Sequence, residues 1–393
     1  MSSNWRVKQL GEVINLKRGY DLPAQDRIHG DIPIMSSSGV NGYHNEKKGN
    51  GPGVVTGRSG QLGKVFYTEH DYWPLNTTLY VQDFKGNNPK FIYYLLQTLN
   101  LEVFNAGSSV PTLNRNHVHL MNVNVPDYKT QYEIGELLYS FEKKIKLNQS
   151  IIKNLYELSQ ILFKQWFIDF EFPNEQGLPY KSSGGKMVES ELGKIPEKWE
   201  ISYLDKIANY KNGLAMQKYR PLNDESESLP VLKIKELNQG FIDSYSDKCS
   251  ISINESVKVY DGDVIFSWSG TLLLKLWSGG NAGLNQHLFK VTSNEFEKWF
   301  YFLWTNYHLE KFKAIAADKA TTMGHIKRTH LSESAVLIGE KRVLEEATKI
   351  LKPILDKITL LGVENRNLAE LRDVLLPKLF SGEIKIPDES VVD

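Results

Sequence analysis

Trp5-Arg6-Val7-Lys8-Gln9-Leu10-Gly11-Glu12-Val13-Ile14, with Gly19 following, is answered far downstream by Trp199-Glu200-Ile201-Ser202-Tyr203-Leu204-Asp205-Lys206-Ile207-Ala208, with Gly213 following. Trp, Leu and Gly keep the same spacing in both stretches. Ile32-Pro33-Ile34 then corresponds to Leu229-Pro230-Val231, and Val54-Val55-Thr56-Gly57-Arg58-Ser59-Gly60 to Val264-Ile265-Phe266-Ser267-Trp268-Ser269-Gly270. Leu75-Asn76-Thr77-Thr78 matches Leu284-Asn285-Gln286-His287, and Phe91-Ile92-Tyr93-Tyr94 matches Trp299-Phe300-Tyr301-Phe302. Beyond each copy Ile145, Asn154, Leu155 and Phe167 recur as Ile358, Asn367, Leu368 and Phe380 at a constant offset of 213. The period is far longer than the roughly 20–50 residues of solenoids and propellers. It implies two large copies in one chain with pseudo-two-fold symmetry, against the plainer alternative of duplication for bulk stability alone.

Inside each copy, short apolar runs broken by Gly, Asn and Pro read as strands and turns, such as Gly53–Thr56, Leu79–Val81, Asp263–Phe266 and Leu288–Val291. A helix is expected from Pro89 to about Phe104, and its counterpart from Glu295 to Phe312. The fold class is therefore α/β (α+β): two duplicated domains separated by two long helices. The first helix carries an apolar seam of Leu138, Phe141, Ile145, Ile152 and Leu155, interrupted by Asn148 and Ser159. The second repeats it with Leu351, Ile354, Ile358, Leu361 and Leu368, interrupted by Asn365 and Arg372. Each helix spans about 35–40 residues, roughly 55 Å, and a seam of that length needs a partner. Antiparallel pairing of the two as a coiled coil supplies one, with Asn148 and Asn365 near one level, where buried polar residues fix register. Pro353 is expected to kink or restart the second helix.

The resulting organisation is a first domain at 1–130, a first long helix at 131–172, a Pro/Gly/Ser-rich linker at 173–197, a second domain at 198–340, a second long helix at 341–381 and a tail at 382–393.

Composition sets limits. Hydrophobic content of 41% and charged content of 24% suit a soluble globular protein. The single cysteine, Cys249, excludes an intramolecular disulfide and a cysteine-based zinc site and fits a reducing compartment. With no apolar stretch after Met1–Arg6 and none long enough to span a bilayer, a cytoplasmic protein is expected. Lys+Arg and Asp+Glu are both 47, so net charge gives no support to nonspecific nucleic-acid binding. Any such attraction must be local, for instance at Lys17-Arg18 and Lys47-Lys48.

Catalytic signatures fail in turn. There is no Asn- or Asp-Pro-Pro-aromatic run of an amino-methyltransferase; Asn87-Asn88-Pro89-Lys90 is not one. Gly184-Gly185-Lys186 looks superficially like a phosphate loop, but Met187 stands where Ser or Thr is required and Tyr180 where Gly is. Pro126-Asp127-Tyr128-Lys129 reads as turn chemistry ahead of a helix rather than a nuclease site. His117 and His119, like His325 and His330, lack a second ligand pair, so no metal site is expected. No Gly-x-Ser-x-Gly elbow occurs.

Polar side chains suited to base edges and phosphates do recur at matched places. Arg58, Ser59 and Gln61 match Trp268 and Ser269; Asn76 and Thr77 match the run Asn285, Gln286 and His287. Ser108 and Ser109 with Asn114 and Arg115 match Thr321 and Thr322 with Lys327 and Arg328. Different polar groups on equivalent loops are what two readers of different sequences need, although Ser, Thr and Asn also populate ordinary turns.

The chain resembles the specificity (S) subunits of Type I restriction-modification systems over nearly its whole length. The likeness is carried by Lys186-Met187-Val188-Glu189-Ser190-Glu191-Leu192-Gly193-Lys194-Ile195-Pro196-Glu197-Lys198-Trp199, by Leu375-Leu376-Pro377-Lys378-Leu379-Phe380-Ser381-Gly382-Glu383-Ile384, by the Trp-x4-Leu opening of each copy and by the Asn-bearing helices. The resemblance implies a non-catalytic subunit in which each copy is a target recognition domain for half of a bipartite DNA site. The helices would serve as spacer and as docking surface for two methyltransferase (modification) subunits, with restriction subunits in the full complex. S-adenosylmethionine, ATP and Mg would belong to those partners, with no cofactor in this chain. The alternatives are the recognition subunit of a Type IIB-like enzyme, a catalytic DNA methyltransferase, and a coiled-coil scaffold unrelated to DNA.

Overall fold

The computed structural model describes residues 5–104, 112–221, 228–318 and 324–386. The chain divides into two compact units, residues 1–144 with 368–393 and residues 145–367. The boundaries therefore cut through both long helices rather than falling between domain and helix.

In the first unit a four-stranded antiparallel sheet runs in the order Asn15–Arg18, Thr78–Asp83, Gly53–Gly57, Val65–Thr68. A second sheet orders Gly39–His44, Ile32–Ser36 and Trp73–Pro74, the last pair parallel. Arg6–Gln9 pairs with Asn122–Val125. The second unit repeats the plan. Asn209–Asn212, Leu288–Thr292, Val264–Ser267 and Leu274–Leu276 form its antiparallel sheet. Lys248–Ser250, Ser228–Leu232 and Ala282–Leu284 form the mixed one, extended by Lys258–Val259, and Glu200–Tyr203 pairs with Ala335–Ile338.

The recurring glycines have a steric cause. A Cβ on Gly19 would lie 2.2 Å from the Leu75 carbonyl oxygen, and one on Gly213 would lie 2.2 Å from that of Leu284. Both backbones pass too close to their neighbour for any side chain.

Pro89–Thr98 forms a helix with Asn88 as N-cap, its side chain accepting from the Phe91 amide, and Pro89 in the first turn. It stops short of the expected end, and a separate 3-10 turn covers Leu101–Phe104. The counterpart is two helices, Lys298–Tyr307 and Leu309–Ala317.

The first long helix covers Tyr128–Phe163 and continues as a π turn over Lys164–Ile168; the second covers Lys341–Phe380. Pro353 does not restart it: the helix runs through without a break. Pro353 sits on the exposed face while Leu351 and Leu355 beside it are buried, so packing outweighs the lost bond, worth about 3 kcal/mol. In the second unit Ile152 and Leu155 pack on the cluster holding Leu351 and Ile358, with Ile354 at its edge, Leu361 buried and Ile145 half-buried. Asn148 is fully buried, its Nδ2 donating to Asn365 Oδ1 and to Glu364 Oε2, both at 3.0 Å. In the first unit Leu138 is buried, Phe141 and Leu368 are half-buried, and Arg372 lies 3.7 Å from Glu142. Residue 142 of one helix thus faces 372 of the other, and 148 faces 364 and 365, which is antiparallel pairing.

Each helix ends inside a core. Phe167 meets Trp299 at 5.5 Å, and Phe380 stacks on Phe91 at 4.9 Å. Each then leaves through a residue in the left-handed region, Phe170 and Gly382.

The stretch expected as a plain linker is more ordered than its composition suggests. Phe172 is sandwiched between Tyr180 and Trp199, and Met187–Ser190 pairs with Gly193–Pro196 in a hairpin that buries Ile195 in the second unit's core. Aromatic stacking and one buried aliphatic overrode the Gly/Ser signal.

Candidate nucleic-acid interface

Three loops converge at the same place in each unit. In the first, the Arg58 and Ser59 amides both donate to the Thr77 carbonyl, at 2.8 and 3.1 Å, and the Leu113 amide donates to the Arg58 carbonyl at 2.8 Å. In the second, the Trp268 amide donates to the His287 carbonyl at 3.4 Å, and the Ile326 amide to the Trp268 carbonyl at 3.0 Å. Isolated bridges Ser59–Thr112 and Ser269–His325 complete the match. The backbone frame is shared; what it displays is not.

The first unit presents exposed Gln61, Asn114 and Arg115, with Arg58, Ser59, Asn76 and Thr77 half-buried. Asn114 caps the short helix Arg115–His119 by accepting from the Asn116 amide. The Asn76 amide donates to Asp21, which also pairs with Arg18. Asp21 and Ser37, which lies against Gly57 and Gly60, join this surface from segments that carried no sequence signal.

The second unit presents half-buried Trp268, buried Ser269 and half-buried Gln286 and His287. His287 Nδ1 lies 3.0 Å from Ser269 Oγ and its Nε2 3.3 Å from Gln286 Nε2. Trp268 contacts His287 at 6.0 Å and His325 at 6.3 Å. Lys327 is exposed. Arg328 is anchored: its guanidinium donates to the Tyr210 carbonyl at 3.1 Å, sits 5.3 Å from the Phe289 ring centre and lines a groove of about 640 Å³. Ser108, Ser109, Thr321 and Thr322 lie outside the described residues. His325 joins the cluster through the bridge to Ser269, a link that spacing alone did not give.

Among the described residues no group of three or more His, Cys, Asp or Glu is placed to hold a metal ion, and no helix is long and apolar enough to cross a membrane.

The profile of the Type I restriction modification DNA specificity domain matches residues 2–157 and again 196–370. The chain belongs to that family. The two matches to the specificity domain coincide with the duplicated halves. The chain is 26% identical over 338 residues to the Type I restriction enzyme MjaIX specificity subunit of Methanocaldococcus jannaschii, covering 80% of this chain and 74% of that protein. It is 21% identical over 462 residues to the HindI specificity subunit of Haemophilus influenzae, covering 97% and 100%. The crystal structure of the S subunit of a Type I system from M. genitalium shares the fold, with a TM-score of 0.62 at 14% identity over 99% of this chain and 98% of that one.

Proposed function

We propose that this specificity-domain protein is the sequence-reading, non-catalytic subunit of a Type I restriction-modification complex. Each unit reads one half of a bipartite duplex target. The observation that carries this is the pair of three-loop frames closed by the same backbone bonds and bearing unlike side chains at matched places: Arg58, Asn76 and Asn114 in one, Trp268, Gln286 and Lys327 in the other. Phosphate contacts position a protein on DNA, whereas side chains at base edges specify. One frame holding two side-chain sets reads two sequences without a second fold.

Two modification subunits dock on this chain, and restriction subunits join the full complex. Methyl transfer, with S-adenosylmethionine, and ATP- and Mg-dependent cleavage belong to those partners. The neutral charge of this chain is consistent with a duplex clamped jointly. A gel-shift titration with cognate duplex tests the division of labour: weak, salt-sensitive binding is expected for the isolated chain and tight specific binding once modification subunits are added. Equal affinity with and without them overturns it.

A further inference from the structure

His287 is held at both ring nitrogens, by Ser269 Oγ at 3.0 Å and by the Gln286 amide nitrogen at 3.3 Å. Since Gln286 Nε2 can only donate, His287 Nε2 is the acceptor, and Nδ1 carries the proton and donates to Ser269. Ser269 is buried and cannot turn away. The Trp268 ring beside the imidazole limits its rotation. One amide hydrogen of Gln286 is thereby spent, leaving its Oε1 and its other N–H free.

A carboxamide offering one donor and one acceptor side by side matches the N7 acceptor and N6 donor that adenine shows in the major groove; guanine shows two acceptors there. The first unit builds the same turn differently. Thr77, the counterpart of His287, accepts the Arg58 amide at its carbonyl as His287 accepts that of Trp268, but its side chain carries no ring and its buried hydroxyl has no hydrogen-bond partner. The imidazole brace is thus specific to one half of a duplicated frame.

We infer that Gln286 reads an adenine in the half-site of the second unit and that His287 is the positioning residue that orients it. The inference rests on the reading of that unit as a recognition domain. Methylation mapping in cells that carry this chain with its modification subunits tests it through Gln286→Ala, His287→Thr and the unmodified protein. An A·T pair at one position of one half-site is expected to become degenerate in Gln286→Ala, with discrimination there falling at least about fivefold. His287→Thr should relax the same position, while the other half-site and the spacer stay unchanged. A merely structural role for His287 would lower methylation evenly at all sites, and that outcome overturns the positioning assignment. An unchanged motif in Gln286→Ala, or a relaxed position that is a G·C pair, overturns the adenine assignment. If the unmodified protein directs no bipartite motif, the recognition reading itself fails, a result distinct from either.

Discussion

Phe380 stacks on Phe91, ring centres 4.9 Å apart and planes inclined by 18°, so the last turn of the second long helix closes the core of the first unit. Its counterpart Phe167 does the same for the second unit, packed on Trp299, Trp199 and Phe300. Both phenylalanines are at least nine-tenths buried. Truncating a buried Phe costs about 3–5 kcal/mol through lost transfer energy and the cavity left behind. Phe167→Ala and Phe380→Ala should each lower stability by that order in urea titrations. A loss near zero for either would mean that the helix end is not part of its core.

Asn148 is fully buried, and its Oδ1 has no hydrogen-bond partner. Its amide nonetheless satisfies Asn365 and Glu364. Asn148→Leu therefore strands an acceptor at Asn365, a cost of about 1–3 kcal/mol. The double variant Asn148→Leu, Asn365→Leu removes both halves of the amide pair and should recover stability relative to the single change. Denaturant midpoints of the three proteins check this, and a double variant weaker than Asn148→Leu would show that the pair does not act as a unit.

Duplication, sheet segments and helix seams were legible in the sequence because they depend on local periodicity and on repetition of large side chains. Glycine spacing was legible too, and Gly19 and Gly213 now have their cause in the carbonyls of Leu75 and Leu284. The matched loops were found, but not what each residue does in them. Arg328 and Asn76 read as equally available polar groups. The fold commits one to the Tyr210 carbonyl and the other to Asp21, and both partners are distant in sequence. The hairpin Met187–Pro196 was obscured because its order comes from Ile195 and from Phe172 stacking, tertiary terms that override Gly and Ser.

Gly19→Ala and Gly213→Ala offer a matched pair of steric tests. A methyl group 2.2 Å from a backbone oxygen forces the strand or the facing turn to move. Overpacking of this kind costs about 1–3 kcal/mol or more. Both variants should unfold at lower temperature than the parent, and a tolerated substitution at either site would refute the close approach.

His308 lies against Trp304 and Phe312, and its Nε2 donates to the Ala335 carbonyl at 2.8 Å. Burial holds its pKa below the ordinary imidazole value, with the bond to Ala335 working the other way. His119 is shifted down as well, by burial and then by Arg115 and Lys85, and its Nε2 accepts from the Leu16 amide at 3.0 Å. Both rings stay neutral in the fold while the unfolded chain protonates near its usual value of about 6.5. Stability is thus intact above that pH and declines as pH falls from there toward the lowered folded values. The melting temperature should drop between about pH 7 and pH 5.5, and His308→Gln should flatten that slope. An unchanged slope would remove His308 as a contributor.

Arg115 and Arg328 open equivalent short helices, Arg115–His119 and Arg328–Ser332, yet their surroundings differ. Arg115 is exposed. Arg328 bonds the Tyr210 carbonyl and lies on the face of Phe289, so its removal withdraws a charge-assisted hydrogen bond and a cation–π contact. Such a bond is worth about 1.5–3 kcal/mol, and an exposed cation–π contact about 0.5–1 kcal/mol. Arg328→Ala should therefore lower the stability of the chain measurably, whereas Arg115→Ala should leave it within about 0.5 kcal/mol of the parent. On duplex DNA the order should reverse: in the complex with modification subunits, Arg115→Ala should weaken cognate binding, an effect carried by a side chain the fold does not use. Equal effects of the two substitutions on thermal unfolding would show that the anchoring of Arg328 contributes nothing, and unimpaired cognate binding by Arg115→Ala would remove that residue from the reading surface.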